Sequence, residues 1–472
     1  MRRAEPVRRA RVALILLACA ALAGCAALDP EGGSAPVNTL LQQHGGHRLQ
    51  PQRTADDIAA AQTQVQTLLA QPLTVDAAVQ VALLNHRGLQ AQLAQLGVAS
   101  AELTSLGRLP NPGFSFGRSR RGDEREIERG LHFNLGALLV RPLVVQAEGR
   151  RLAAQQQQTA ASVLAHVAEV RKAWVRAVAA QQTGAYMHQV QDAAAAGAEL
   201  ARRMAEAGNF SRLQRAREHS FSAEAALNLA RAQQASVAAR ERLNRLLGLW
   251  GPQLIYTLPE RLPDLPPEGA DRPDIEREAL ATRLDLRAAQ SQVQASARGL
   301  GLTRATRFVN VLEFGLMHNT SNEAPRQTGW EIGFEIPLFD FGDARLARAE
   351  GLYLQQVHSA AAVAVQARSE VRESWHAQRT AWDIARHYRD EIVPAAKRIS
   401  DENLLRYNGM FIGVFELLAD ARSQVAAVNE SINALRDFWV AQAELDMALL
   451  GPATMTEVAA PSTSAAEAAK GH

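Results

Sequence analysis

The chain has 472 residues, of which 47% are hydrophobic but only 5% aromatic. Ala and Gln recur where a β-rich enzyme core would carry Val, Ile and Phe. Because both cost a helix little side-chain entropy, the composition favours long helices. The formal net charge is +2, but five arginines and a single acidic residue lie within residues 1–24, so the rest of the chain is slightly acidic. A nucleic-acid-binding protein needs a basic surface, and this balance argues against that class.

The N-terminus has the layout of a bacterial secretory signal. An arginine-rich start leads into an apolar stretch over Val12–Leu22, which is too short to span a bilayer. The stretch ends in Leu-Ala-Gly-Cys, and small residues before a cysteine resemble the lipobox of bacterial lipoproteins. We predict a signal peptide over 1–24 and a covalent lipid on Cys25, with no other cofactor; the alternative is an ordinary signal peptide that carries a cysteine by chance. Ala26 follows the cysteine where inner-membrane lipoproteins often carry Asp, which favours the outer membrane.

The next segment and the end of the chain show no periodic pattern. Residues 25–71 are predicted to form a lipid-anchored N-terminal extension, and 453–472 a disordered tail, because both read as extended or disordered. Cys25 is the only cysteine outside 1–24, so the mature chain has no intramolecular disulfide and no cysteine-based zinc site.

Between these segments the sequence repeats itself. Residues 78–98 match 275–295, and each half ends its last helical pattern in Leu-Leu-Gly. We predict a first repeat over 72–250 and a second over 274–452. The proline-rich stretch 251–273 is predicted to link them.

Each repeat is predicted to contain a helix, two short strands and two long helices. After Gly409 the apolar residues follow a seven-residue repeat, which is typical of a coiled coil. The long patterns contain few prolines, and a helix of ~60 residues would be ~90 Å long. Such a rod would cross a periplasm-sized gap.

The strands are predicted at about 113–120, 128–137, 308–318 and 328–338. In the last of these, Trp330, Ile332 and Phe334 alternate with Glu331 and Glu335. Alternation over about ten residues is typical of transmembrane β-strands with a lipid-facing and a lumen-facing side. The alternative is two ordinary hairpins on a soluble body. The charged stretch between the first two strands, Arg118–Glu128, is interpreted as a polar turn.

Transmembrane strands in this chain would require several copies. An open sheet cannot lie in hydrocarbon with unpaired edges, so the barrel must close. Four strands cannot enclose a barrel, because the smallest known have eight. Two, three or four chains would give 8, 12 or 16 strands, and we therefore predict an obligate oligomer.

Taken together, these features resemble the TolC-type outer-membrane efflux proteins, in particular their lipoprotein branch. Besides Cys25 and the duplicated halves, the resemblance rests on Ile336–Gly342, which looks like the family's strand-to-helix junction, with Pro337, Asp340 and Gly342 at its key positions. It also rests on the helix-hairpin turns, marked by Gly208 with Ser211 in the first repeat and by Gly409 in the second. Two places depart from the family. The first repeat lacks the Asp-x-Gly turn at its junction, and Met410–Ile412 replace small polar residues at the second hairpin turn.

The resemblance implies a mainly α-helical protein with a small transmembrane β part. The fold would be a homotrimer with a shared 12-stranded barrel and a long α-helical coiled-coil tunnel, lipid-anchored in the bacterial outer membrane and extending into the periplasm. The function implied is the exit duct of a tripartite efflux pump. Its partners would be a periplasmic adaptor (membrane fusion) protein, an inner-membrane pump of the resistance-nodulation-division or ABC type, and outer-membrane lipid.

The same resemblance suggests a periplasmic aperture with acidic rings. Glu416 and Asp420 lie one turn apart on the helix after Gly409, so they share a face. Rings of carboxylates favour cations. The alternative is a solvated helix face on which these acids pair with a neighbour such as Arg422.

No catalytic motif is found. The sequence has no nucleophile–base motif, no glycine-rich phosphate loop and no paired catalytic carboxylates, so we predict no enzymatic activity. No histidine has the helical spacing of a zinc motif, so we predict no metal site. Two alternatives to an efflux duct stay open: a pore-free, lipid-anchored periplasmic coiled coil of structural or adaptor type, and the same duct serving type I protein secretion.

Overall fold

The computed structural model describes residues 28–267, 272–308 and 311–452. The predicted signal peptide, Cys25 and the tail 453–472 lie outside the described residues. The first half of the described chain contains α1 (Ser34–Gly45), α2 (Ala55–Leu69), α3 (Val75–Asn85), α4 (Arg87–Gly107), β1 (Gly113–Arg121), β2 (Glu124–Asn134), α5 (Leu135–Glu206) and α6 (Arg212–Leu247). The second contains α7 (Ile275–Thr282), α8 (Leu284–Ala305), β3 (Leu312–Ser321), β4 (Gln327–Phe334), α9 (Asp343–His387), α10 (Val393–Asn408) and α11 (Val414–Ala448).

Helices dominate, as the composition predicts. The longest, α5, has 72 residues and includes Pro142. A π-helical turn over Tyr388–Ile392 joins α9 to α10, so the helical path continues past Pro394. Within the described residues, no helix is both long enough and apolar enough to cross a bilayer.

The chain divides into two compact units. Of the described residues, the first contains those up to Gln43 together with those in Ala91–Ala160 and Leu284–Ala364. The second contains the described residues in His44–Gln90 and Ala161–Arg283 and those from Val365 to 452. Each repeat therefore contributes residues to both units.

The first unit contains a four-stranded antiparallel sheet in the order β1-β2-β3-β4. The interpretation of Arg118–Glu128 as a turn is wrong. Its residues belong to β1 and β2, and only Gly122 and Asp123 connect the strands, with Gly122 at φ 64°. The second strand therefore begins at Glu124 rather than near 128.

The two strand-to-helix transitions differ. At the first, the side chain of Asn134 accepts a hydrogen bond from Ala137 N (2.8 Å) and caps α5, so the second strand ends at Asn134 and not at 137. In the second repeat β4 ends at Phe334 instead of near 338, and an irregular segment leads to α9.

In the second unit the proline-rich stretch is packed and is not a free linker. Tyr256, Leu258, Leu262 and Leu265 are buried. Its carbonyl groups accept hydrogen bonds from tryptophan side chains: Trp382 Nε1 donates to Pro266 O and Trp439 Nε1 to Pro263 O, both at 3.1 Å. These bonds fix the segment against α9 and α11.

The N-terminal extension is also ordered, so the prediction of an extended or disordered 26–71 is wrong over α1 and α2. Thr54 and Asp57 form a capping box at the start of α2, which buries Val65 and Leu69. Upstream of α1, Asp29 accepts hydrogen bonds from the backbone N of Glu31 (2.9 Å) and Gly33 (2.6 Å).

Candidate functional site: a two-faced sheet and two helical hairpin ends

The register gives the sheet two chemically different faces. Directly opposed residues point to the same side, and alternate residues to opposite sides. One row across all four strands reads Phe114, Leu131, Leu316 and Trp330. The other apolar residues on this face are Phe116, Ile127, Phe133, Leu312, Phe314, Ile332 and Phe334. Many are exposed, among them Phe114 (69%) and Trp330 (67%), so an apolar surface is left uncovered.

The opposite face is polar and acidic. The residues on this face include five glutamates, one arginine (Arg121) and one histidine (His132). The glutamates are Glu124, Glu126, Glu128, Glu313 and Glu331. Glycines occupy many of the remaining positions, so few side chains project from these parts of the face. An apolar face backed by a polar one is the arrangement of a strand between lipid and water.

A polar chain of side chains crosses this face. His132 Nδ1 lies 3.4 Å from Glu331 Oε1, and His132 Nε2 lies 3.1 Å from Ser115 Oγ. Gly315 of β3 lies between His132 and Glu331 in the register. A Cβ atom on Gly315 would approach Glu331 Cγ to 2.6 Å, so the glycine leaves room for the contact.

The outer strands of the sheet each pair on one side only. Within the described chain, β1 bonds to β2 and β4 bonds to β3, and neither has a second partner. The other edge of each strand therefore offers backbone N–H and C=O groups for pairing.

The predicted strand-to-helix junction is a built turn. Asp340 Oδ1 accepts a hydrogen bond from Gly342 N at 2.7 Å, and Gly342 adopts φ 70°. Arg307 Nε donates to Phe341 O at 2.8 Å and ties the turn to the residues after α8. A Cβ on Gly342 would lie 3.0 Å from Arg307 O, so both its φ and its surroundings favour glycine. Pro337 lies in the irregular segment after β4, where it needs no backbone donor.

Each of the two helical hairpin ends contains one residue in the left-handed conformation, but in the second hairpin this residue is not the predicted Gly409. In the first, Gly208 is left-handed (φ 80°) and Asn209 N donates to Met204 O at 2.9 Å. Ser211 then caps α6 through a capping box with Gln214.

In the second hairpin, Gly409 has an ordinary φ of −81°. The left-handed residue is Met410 (φ 63°), with Phe411 N donating to Arg406 O at 2.9 Å. Met410, and not Gly409, is therefore the conformational counterpart of Gly208. Met410 and Phe411 are 93% and 84% exposed.

Of the predicted aperture residues, Glu416 is exposed in the first turn of α11, where a negative charge favours the helix N-terminus. Asp420 is half-buried, and its Oδ2 has no hydrogen-bond partner among the described residues. Arg422 does not pair with either acid. Its Nη2 donates to Glu218 Oε1 at 3.0 Å, and its guanidinium lies 4.3 Å from the centre of the Phe221 ring.

A cavity of about 210 Å³ lies beside this ion pair. It is lined mainly by small and apolar residues of α5, α6 and α11, including Tyr186, Ala194 and Val425. Burial raises the pKa of the Tyr186 hydroxyl.

Buried polar groups that the sequence did not reveal occur where the first repeat's helices end. The rings of His86 and His166 lie 4.3 Å apart, and His166 Nε2 bonds to Leu246 O at 3.0 Å. Burial, followed by repulsion from His86, lowers the pKa of His166 to about 4. In the second repeat, Arg283 is 1% exposed and donates to Glu370 Oε2 and Ala448 O, both at 2.9 Å. These hydrogen bonds fix the helix ends.

In the part of the chain that the structure describes, no group of three or more His, Cys, Asp or Glu side chains is arranged to hold a metal ion.

No protein-family model matches the sequence, and no curated protein matches it either. Solved structures do resemble it. The outer-membrane channel OprN is similar with a TM-score of 0.67 at 17% identity, over 91% of this chain and 97% of that chain. The open state of the Neisseria gonorrhoeae MtrE outer membrane channel has a TM-score of 0.67 at 18% identity, over 81% of this chain and 91% of that chain. The Campylobacter jejuni CmeC outer membrane channel has a TM-score of 0.64 at 15% identity, over 87% of this chain and 91% of that chain.

The chain has the fold of the TolC-type outer-membrane channels. The predicted fold class, mainly α-helical with a small antiparallel β part, is thereby confirmed. The three structures named above are described as outer-membrane channels.

Proposed function

We propose that this protein is an outer-membrane channel, the exit duct of a tripartite efflux system. The observation that carries the proposal is the sheet, with an apolar face, an acidic and glycine-rich face, and two unpaired outer edges. An exposed apolar face of this kind is favourable against lipid acyl chains, and the opposite face suits a water-filled lumen.

The open edges support assembly of several copies. Exposed backbone groups on β1 and β4 would each cost several kcal/mol in hydrocarbon, so β1 of one copy pairs with β4 of the next. Three copies give a closed barrel of twelve strands, which the TolC-type fold favours over two or four. The acidic faces then line one lumen, and the assembly is a homotrimer.

The helices support a duct that continues into the periplasm. All four connections between the sheet and its helices leave from the same end of the strands. The two β-hairpin turns, between β1 and β2 and between β3 and β4, lie at the other end. The helices that join the sheet, α4, α5, α8 and α9, therefore all leave it on one side, which we assign to the periplasm. A periplasmic adaptor and an inner-membrane pump of the resistance-nodulation-division or ABC type are the proposed partners there. A lipid on Cys25 anchors the N-terminus to the outer membrane.

The structural or adaptor alternative is less favoured. A pore-free coiled coil has no use for a row of apolar side chains in which Phe114, Leu316 and Trp330 are exposed, because such a surface would promote aggregation in water. In a soluble protein, a β-hairpin would bury such an apolar face against another part of the protein.

The experiment is single-channel conductance of the detergent-purified protein in a planar bilayer, combined with its mass by native mass spectrometry. We expect a trimer and discrete, cation-selective openings, because five glutamates per chain face the lumen. A monomer without conductance would overturn the proposal and favour the pore-free alternative.

A test of the lipid-facing side of the sheet is Trp330→Arg, which places a charge on the apolar face. It should impair insertion, because an arginine on the lipid face costs about 2–4 kcal/mol at the bilayer midplane. Glu331→Gln, at the next residue on the opposite face, should insert as well as the wild type.

A further inference from the structure

The arginines of the first hairpin lie on one face of the sheet. Arg118 is directly opposite Ile127, and Arg120 is directly opposite Arg125. Arg129 is two residues beyond Ile127 and therefore points the same way. Four guanidinium groups thus surround Ile127 near the Gly122–Asp123 turn.

The glutamates of the same hairpin lie on the other face. Glu124, Glu126 and Glu128 alternate with the arginines along β2, so the period of two separates the charges by sign. On the glutamate face, Arg121 lies opposite Glu124, an attractive pair. On the arginine face, like charges are directly opposed at Arg120 and Arg125, which is unfavourable unless an anion compensates them.

The part of the chain that the structure describes supplies no such anion to the arginine face. Among the described residues, none of the four arginines forms an ion pair with a carboxylate, and only Arg120 has a side-chain hydrogen bond, from Nε to Gly122 O. The third and fourth strands add His318, Thr320 and Thr328 to this part of the face, none of them acidic. Arg118, Arg120 and Arg125 are exposed.

The arginine cluster continues the apolar face without a break. Phe116 is directly opposite Arg129, and Phe114 and Leu131 form the next row toward the helices. An occupant that matches both parts has acyl chains at the aromatic rows and phosphate groups at the arginine rows. A free phosphate would use only the second part.

We propose that this face binds a phosphorylated glycolipid of the outer leaflet, with the phosphates of its lipid A part held by Arg118, Arg120, Arg125 and Arg129. Guanidinium groups bind phosphate through paired, charge-assisted hydrogen bonds, which suits a cluster of several arginines. The inference rests on the proposed function, because it takes the apolar face to contact lipid and the hairpin turns to lie on the outer side.

The test compares two hairpin variants. In the arginine variant, Arg118, Arg120, Arg125 and Arg129 are replaced by Gln, which keeps a polar side chain of similar reach. In the matched control, Glu124, Glu126 and Glu128 on the opposite face of the same hairpin are replaced by Gln. Detergent-purified, delipidated protein is titrated with bis-phosphorylated lipid A and with dephosphorylated lipid A, and bound lipid is counted by native mass spectrometry.

We expect the arginine variant to bind bis-phosphorylated lipid A roughly tenfold or more weakly than the wild type, since several charge-assisted hydrogen bonds are lost. The control should bind it at least as well as the wild type, because it loses only carboxylates. Dephosphorylated lipid A should bind weakly and equally to all three proteins. Equal binding of the phosphorylated lipid by wild type and arginine variant, or no preference of the wild type for the phosphorylated form, would overturn the proposal.

The same samples are tested for conductance, so the two proposals fail separately. Conductance without phosphate-selective binding overturns the lipid site alone. Selective binding without conductance overturns the channel and leaves the lipid site standing. Should the fourfold variant fail to fold, the double variant Arg120→Gln with Arg125→Gln removes the directly opposed pair and relieves a repulsion, and its lipid binding decides the question.

Discussion

Arg422 of α11 donates a hydrogen bond from Nη2 to Oε1 of Glu218 of α6 at 3.0 Å, and the Glu218 side chain is only 3% exposed. The two residues are 204 positions apart in sequence and come from different repeats. This pair joins the last helix of each repeat within the second unit. It also takes Arg422 away from Glu416 and Asp420, so the negative charge of those two acids is not neutralised by that arginine.

Replacing Glu218 by Gln should destabilise the protein by about 1–2 kcal/mol, because Glu218 is buried but the guanidinium group of Arg422 is 34% exposed and stays partly hydrated. Thermal unfolding in detergent, followed by circular dichroism at 222 nm, measures the change. The matched control is Glu402→Gln, whose ion pair with Arg406 is exposed on both sides, so it should shift stability by less than about 0.5 kcal/mol. Equal shifts in the two variants would contradict a structural role for the buried pair.

The left-handed residues at the hairpin ends give a reciprocal pair of substitutions. Met410→Gly should stabilise the protein by about 0.5–1 kcal/mol, because it removes the strain of a side chain at positive φ. Gly208→Ala should destabilise the protein by about 1 kcal/mol, because it places a side chain at positive φ. No atom lies within 4 Å of the added Cβ, so a steric clash does not contribute to this cost. Unfolding temperatures of both variants check the prediction. A loss of stability in Met410→Gly would show that its side chain makes a contact worth more than the strain.

At the strand-to-helix junction, Gly342→Ala should cost about 2 kcal/mol, because it combines a positive φ with a close approach to Arg307 O. Gly351→Ala, inside α9 and more than two turns from its start, is the control. Nothing lies within 4 Å of its added Cβ, and alanine is the better helix former, so stability should rise by up to about 1 kcal/mol. The two changes are the same in chemistry and opposite in expected sign, and the unfolding temperatures of the two variants measure both.

Much of the fold follows from patterns within short stretches of sequence. The alternation of Trp330, Ile332 and Phe334 with Glu331 predicts the fourth strand, because one apolar face must avoid water. At α2, the sequence signal for a helix start is the capping pair of Thr54 and Asp57, which composition alone does not show.

Other features depend on information that hydrophobic periodicity does not carry. In the first hairpin, arginines and glutamates alternate, and since both are polar the stretch looks like a turn until the signs of the charges are compared. The contacts of His86 with His166 and of Arg422 with Glu218 depend on helix register across long separations in sequence. A glycine such as Gly409 marks a hairpin end, but the backbone alone shows that the next residue takes the left-handed conformation.

Stability should fall as the pH is lowered from about 6.5 toward 4. Burial lowers the pKa of His166 to about 4, so the unfolded chain takes up a proton in this range before the folded chain does. Between pH 7 and 5 the loss should be about 1–2 kcal/mol.

His166→Gln keeps a donor for Leu246 O and should remove this pH dependence. The effect is measured as the difference between wild type and variant across the pH range. That subtraction matters because burial raises the pKa of Asp446, which acts in the opposite direction, and because His86 and Glu169 influence His166. An unchanged difference from pH 7 to pH 5 would contradict a neutral, buried His166.

Cation selectivity should separate the two acidic regions of the proposed channel. Glu416 and Asp420 lie near the start of α11, while Glu313 and Glu331 lie on the polar face of the sheet. A narrow region dominates the selectivity of a pore, because carboxylates there lie closer to the passing ion and are less screened by salt. Since the helical hairpin end is the proposed aperture, Glu416→Gln with Asp420→Asn should lower the cation-to-anion permeability ratio more than Glu313→Gln with Glu331→Gln. Reversal potentials in a salt gradient measure both variants, and each double substitution removes two negative charges per chain. A larger loss in the sheet variant would move the selective constriction from the hairpin end to the sheet.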